Sequence, residues 1–240
     1  LKEAESHTRK AIELNPDLDN AHSNLGSILK DLGKLKEAKV STLKAIELNP
    51  RSTMAHSNLG GILKDLGKLK EAEVSTRKAI ELNPDFAYAH SNLGNILKDL
   101  GELKEAEVHI SKAIQLNPDL AIAYYSLSDL KLSNKIRTWR DQLFSKDLLN
   151  NKTNKDLVNI YFARANILHR ESNFNESYKY LELANNLKKN LKTNNIKYLL
   201  NQSKKLLIES TKENINKNEQ RNIPCSIFIV GMPRSGSTLI

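Results

Sequence analysis

The chain has 240 residues, with 37 Lys and Arg against 28 Asp and Glu, for a net charge of +9. Its 39% apolar content is enough for a buried core, and its 27% charged content excludes a wholly disordered chain. A single cysteine, Cys225, excludes a disulfide framework and any zinc site built from several cysteines, and no apolar run approaches the ~18 residues of a membrane span.

The basic surplus is uneven. Residues 1–120 hold 17 basic and 18 acidic side chains, whereas residues 121–240 hold 20 and 10. The positive charges form no compact block, so they read as scattered over solvated helices and not as a nucleic-acid surface. With no nucleic-acid patch and no membrane segment, the expected compartment is cytoplasmic. The chain opens at Leu1 inside a repeat and stops at Ile240 one turn into a new helix, so it reads as a piece of a longer protein.

A 34-residue period runs through the first half. Gly26, Gly60 and Gly94 keep it, as do Pro16, Pro50, Pro84 and Pro118. Ala21–Pro50 matches Ala55–Pro84 at 27 of 30 positions. Such a period marks a stack of identical supersecondary units. Each unit predicts two helices. The first runs over 19–32, where Leu25, Ile28, Leu29 and Leu32 form one apolar stripe, and Gly33 supplies the left-handed stop. The second runs over 35–48, with Leu35, Ala38, Thr42 and Ala45 inward, and ends at Asn49-Pro50. Gly26 and Ala38 stand where two helices cross closely.

Leu25, Gly26, Leu29, Gly33, Leu35, Ala38, Ala45 and Pro50, with their copies one and two periods on, resemble the tetratricopeptide repeat family. The resemblance covers Leu1 to about Asp119 and implies a right-handed solenoid of helical hairpins. Two degenerate units follow. One begins near Leu120 with Tyr124, Leu127 and Leu130. The other spans Asp156–Leu187 with Ala165, Leu168, Phe174, Leu181 and Ala184 in place, although Arg164 stands at a normally apolar position. The expected solenoid is therefore 1–187.

Residues 188–222 read as one amphipathic helix, carried by Ile196, Leu199, Leu200, Leu206, Leu207 and Ile208, and then a polar linker. Ile227–Val230 is a buried-strand signal, and Gly231–Thr238 follows as a glycine-bearing loop before a helix start. Strand, loop and helix start form a phosphate-binding layout, in which backbone amides and the helix dipole favour an oxyanion. Gly231 and Gly236 have Walker A spacing, but Ser237 stands where the lysine belongs, which argues against ATP or GTP hydrolysis.

Phe228–Leu239 looks like the first cofactor loop of sulfotransferases, in particular the bacterial branch that joins such repeats to a domain similar to protein-tyrosine sulfotransferases. The resemblance implies 3′-phosphoadenosine-5′-phosphosulfate as co-substrate. By it, Ser235, Gly236, Ser237 and Thr238 would hold the 5′-phosphosulfate, and Arg234 would stabilise the leaving phosphate. The domain would begin at 223 and continue past 240, so the 240-residue piece would be inactive by itself. The acceptor, possible protein tyrosine included, is open.

The expected fold is mainly α: a solenoid followed by the first strand and phosphate-binding loop of an α/β domain. Asn24, Asn58 and Asn92, with Lys30, Lys64 and Lys98, are candidates for a peptide-binding concave face. His22, His56 and His90 repeat only because the unit repeats, and they read as packing residues, so no metal is expected. The rival to the enzyme is a non-enzymatic scaffold whose repeats bind a protein or peptide.

Overall fold

The computed structural model describes residues 1–130 and 137–191. They form α1 (Lys2–Leu14), α2 (Asp19–Asp31), α3 (Leu35–Leu48), α4 (Thr53–Asp65), α5 (Leu69–Leu82), α6 (Ala87–Leu100) and α7 (Leu103–Leu116). There follow α8 (Ala121–Asp129), α9 (Arg137–Phe144), a 3-10 turn (Asp147–Leu149), α10 (Asn154–Arg170) and α11 over 174–191. No strand occurs among the described residues. The expected strand 227–230, the loop 231–238 and the helix around 196–208 lie outside them.

Two local devices set the period. At the hairpin turn, Gly33 takes φ +77°, and the following amide, Lys34 N, donates to Leu29 O at 2.8 Å. Gly67 and Gly101 repeat this at φ +77° and +86°. A β-carbon is strained in that conformation, so glycine is the natural stop. Between units, the Asn side chain adds to the helix-ending effect of proline. Asn49 Oδ1 accepts from Arg51 N at 3.1 Å, and Asn15, Asn83 and Asn117 catch the amide two residues on in the same way.

Each hairpin closes around small residues. Ala38, Ala45, Ala72 and Ala79 are fully buried. A β-carbon on Gly60 would stand 3.2 Å from Ala72 O and overlap Thr76 Oγ1. Thr42 and Thr76 satisfy their buried hydroxyls on Ala38 O and Ala72 O, at 2.9 and 2.8 Å. In the third hairpin Ile110 takes that place, and the core grows larger: Leu93, Leu97, Ile110, Tyr124, Leu127, Leu143, Ile160 and Ile167 are all buried.

The first helices α2, α4 and α6 touch one another directly, and each second helix packs mainly on the first helices beside it. The first helices therefore line the tighter side of the stack. The degenerate units continue the stack in altered form. α8 packs on α10, and Trp139 of α9 is buried against Tyr124 with ring centroids 6.3 Å apart. α10 starts at Asn154, with Thr153 Oγ1 accepting from Asp156 N. Ala165, Leu168 and Ala184 are buried as expected. Phe174 is not: it is 58% exposed and meets only the edge of His169, because the end of α11 carries no helix over it among the described residues.

Arg164 is the most instructive departure from the repeat. It is buried, its Nε donates to Leu143 O and its Nη2 to Ser145 O, both at 2.9 Å. It lies 5.5 Å from the ring centres of both Phe144 and Tyr180. The guanidinium caps the carbonyl end of α9, where the helix dipole is negative.

Candidate functional site

The six face residues named from the sequence sit on α2, α4 and α6 at one register. The structure ties most of them to neighbouring helices. Asn58 Nδ2 donates to Ser23 Oγ at 3.1 Å, and Asn92 Nδ2 to Ser57 Oγ at 3.0 Å. Their amide groups thus stitch one first helix to the one before. Asn24 is exposed and makes no such bond. One period on from Asn92, Ser126 Oγ donates instead to Asn95 Oδ1 at 2.8 Å.

The lysines form a second ladder. Lys30 Nζ lies 3.9 Å from Asp65, Lys64 Nζ lies 3.2 Å from Asp65 and 4.0 Å from Asp99, and Lys98 Nζ lies 2.9 Å from Asp129. Each cation therefore already has a carboxylate on the next unit. Gly61 leaves a notch in this face, and Lys30 Nζ lies over it, 3.2 Å from where a β-carbon would stand. At the far end Lys155 of α10 reaches Asp31 of α2 at 3.6 Å. Sequence reasoning missed the aspartates, although a signal was there for those within the repeats: Asp31, Asp65 and Asp99 directly follow Lys30, Lys64 and Lys98, whereas Asp129 follows Ser128.

The recurring histidines have a structural task. His22, His56 and His90 point Nε2 at the carbonyl oxygens of Pro16, Pro50 and Pro84, at 2.8, 3.0 and 2.9 Å. A carbonyl only accepts, so each Nε2 carries the proton. In the next unit Tyr124 makes the same bond to Pro118 O at 2.9 Å. A phenol serves as well as an imidazole, which identifies the role as a donor that locks the turn to the first helix. Burial, with Asp119 nearby, pushes the Tyr124 hydroxyl up to about 12.

One of the third unit's departures lies beside His90. Ser41 Oγ donates to His22 O at 2.9 Å, but one and two periods on stand Ser75 and His109. His109 Nδ1 lies 3.0 Å from His90 Nδ1. Burial and the His90 ring hold the His109 imidazole below its ordinary value, against a pull from Glu105. No group of three or more His, Cys, Asp or Glu is arranged around a metal position among the described residues. Arg234, Ser235, Gly236, Ser237 and Thr238 lie outside the described residues.

On the opposite side an open groove of about 660 Å³ runs between α1, α2 and α3, with Leu25 and Leu29 on its floor and Arg9, Glu13, Lys36 and Glu37 on its rim. No described helix is long and apolar enough to cross a membrane.

Comparison with known families finds the tetratricopeptide repeat at residues 20–52 and 87–120 and the TPR repeat at 60–101. No curated protein matches the chain. Among solved structures, MamA is 20% identical with a TM-score of 0.44, and the match covers 78% of this chain and 87% of MamA. YrrB, a TPR protein with an unusual peptide-binding site, is 20% identical with a TM-score of 0.47, covering 75% of this chain and 91% of YrrB. The first TPR of Spaghetti (RPAP3), bound to the HSP90 peptide SRMEEVD, is 23% identical with a TM-score of 0.43, covering 53% of this chain and 94% of that domain. The helical hairpins, their glycine crossings and the three matched stretches together identify residues 20–52 and 60–120 as tetratricopeptide repeats.

Proposed function

We propose that this protein is a binding scaffold whose first-helix face takes an extended peptide segment of a partner protein. The observation that carries this reading is the ladder of side-chain amides. Asn58 and Asn92 are held at one register by bonds to the preceding helix, so their carbonyl oxygens are oriented before any ligand arrives. An extended backbone presents amide donors at regular spacing, and a pre-oriented acceptor loses little entropy on binding. The lysines of the face are neutralised by Asp65, Asp99 and Asp129, which favours recognition of peptide backbone over capture of a single terminal carboxylate.

Asn24 separates binding from stability. Its side chain is exposed and makes no hydrogen bond among the described residues, so Asn24→Ala is expected to leave the unfolding midpoint within about 0.5 kcal/mol of the parent. The same change is expected to weaken a peptide selected from a random display library by about tenfold, the equivalent of ~1.4 kcal/mol. Fluorescence anisotropy with the labelled peptide reads the affinity. Unchanged affinity in both Asn24→Ala and Asn58→Ala chains would remove the reading.

The second reading, that the protein goes on to a sulfotransferase domain, rests on the order Pro233-Arg234-Ser235-Gly236-Ser237-Thr238 after an apolar run. There the loop amides and hydroxyls would hold the 5′-phosphosulfate of 3′-phosphoadenosine-5′-phosphosulfate, and Arg234 would face the charge that grows on the leaving phosphate. A gene product that extends beyond Ile240 is expected to bind 3′-phosphoadenosine-5′-phosphosulfate in calorimetry and to lose sulfuryl transfer on Arg234→Ala. Turnover untouched by that change, or no binding at all, leaves only the scaffold.

A further inference from the structure

The third unit holds a pair of imidazoles whose facing Nδ1 atoms neither the peptide face nor the turn lock uses. His90 is buried on α6, and His109 on α7 is largely covered. Their Nδ1 atoms are 3.0 Å apart and their ring centroids 5.2 Å. That centroid separation is the nitrogen–nitrogen distance plus two ring radii, so the two nitrogens face each other along the line of centres. The ring planes differ by only 27°. The rings therefore meet head to head, and one N–H donates across the gap.

The outer nitrogens are already placed. His90 Nε2–H donates to Pro84 O at 2.9 Å, which leaves its Nδ1 with a free lone pair. His109 Nε2 lies 3.6 Å from Glu105 Oε1. When His109 carries its proton on Nε2, that N–H stands beside Glu105, and the second lone pair also faces the gap. Histidine ligands of metals are commonly oriented by a carbonyl or carboxylate on their other nitrogen; His90 has such a carbonyl in Pro84 O, and Glu105 stands 3.6 Å from His109 Nε2. Glu105 also pairs with Arg77 at 2.9 Å, so one carboxylate and one guanidinium stand beside His109.

Two opposed lone pairs are the donor set of a linear, two-coordinate ion. Tetrahedral Zn²⁺ needs converging lone pairs and further ligands, which the described residues do not supply. We propose that His90 and His109 form a site for one monovalent soft cation, Cu⁺ or its analogue Ag⁺, bound between the two Nδ1 atoms. Two bonds of about 2 Å in line need a gap of about 4 Å, so the rings must part by about 1 Å. His109 is the ring that moves, since it lies nearer the surface. On binding, His109 gives up the proton on Nδ1 to water and takes one from water at Nε2, which stays on the ring and stands beside Glu105. Both ligands stay neutral, and no net proton is released. The first and second units lack this site because Ser41 and Ser75 stand where the third has His109.

The test is a titration of the 240-residue chain with silver nitrate in chloride-free buffer at neutral pH, in a Cys225→Ser background that removes the competing thiol. The imidazole nitrogen resonances of all six histidines are followed by NMR. The expected result is saturation at one equivalent, with Nδ1 shifts confined to His90 and His109 and a raised unfolding midpoint. His109→Ser restores the residue of the other two units, so the fold is kept, and it is expected to weaken Ag⁺ binding at least tenfold. Equal shifts at all histidines, tight binding that survives His109→Ser, or binding of Zn²⁺ in preference to Ag⁺ would each overturn the assignment.

Discussion

A Gly60→Leu chain is expected to lose about 3 kcal/mol of stability, read as a shift in the urea midpoint of the helical signal at 222 nm. The cause is the crossing of α4 and α5. A β-carbon alone would overlap Thr76 Oγ1 and stand 3.2 Å from Ala72 O. The threonine can rotate only by giving up its buried bond to Ala72 O, and the carbonyl belongs to helix backbone that cannot yield. Gly60→Ala is expected to fall between the two, because alanine recovers about 1 kcal/mol of helix propensity while meeting the same clash. Each unit of a solenoid leans on its neighbours, so a wedge in the second hairpin also loosens the contacts of the first and third. A midpoint equal to the parent in the leucine variant would mean that the two helices do not cross this closely.

An Arg164→Ala chain is expected to lose about 3 kcal/mol, from two carbonyls left without donors and from lost packing. Leu143 O and Ser145 O both rely on this side chain, and the guanidinium fills the space between Phe144 and Tyr180. Lysine is not an adequate substitute, since a compact ammonium cannot spread two donors in a planar fork between rings. Arg164→Lys is therefore expected to recover less than half of the loss. Hydrogen exchange at the amides of α9 gives the local reading: these should speed up more than those of α4 in both variants. Equal exchange in parent and variants would show that the end of α9 holds itself.

The contrast between these two residues separates what a one-dimensional pattern reveals from what it hides. Gly60 was legible because its meaning is local and repeated: a small residue every 34 positions, in step with an apolar stripe, marks a crossing. The Gly33 turn and the bounds of α3 were legible for the same reason. Arg164 read as a misfit, since its partners are backbone carbonyls 21 and 19 residues away, and carbonyls leave no trace in a sequence. Phe174 shows the reverse: its spacing suits a core, but burial depends on a neighbouring helix.

The face proposed to bind a peptide was legible in the placing of its residues and only partly in their pairings. The register of Asn24, Asn58 and Asn92 and of Lys30, Lys64 and Lys98 followed from the period. Their pairings did not. Whether Asn58 donates to Ser23, or Lys98 to Asp129, depends on how one hairpin is set against the next, and that rotation is the sum of many small packing contacts. The histidines show the same limit. Their spacing was visible, but the proline carbonyls that receive them lie six residues back across a turn and leave no mark in the sequence.

By itself, then, the sequence determined the unit: two helices, a left-handed glycine, an asparagine–proline turn and a close crossing, all set by contacts within 34 residues. The tertiary structure decided which polar groups remain for a ligand, because neighbouring units consume some donors and orient others. It also decided that His90 and His109, 19 residues apart, face each other nitrogen to nitrogen, since two side chains meet only where the helices that carry them are packed.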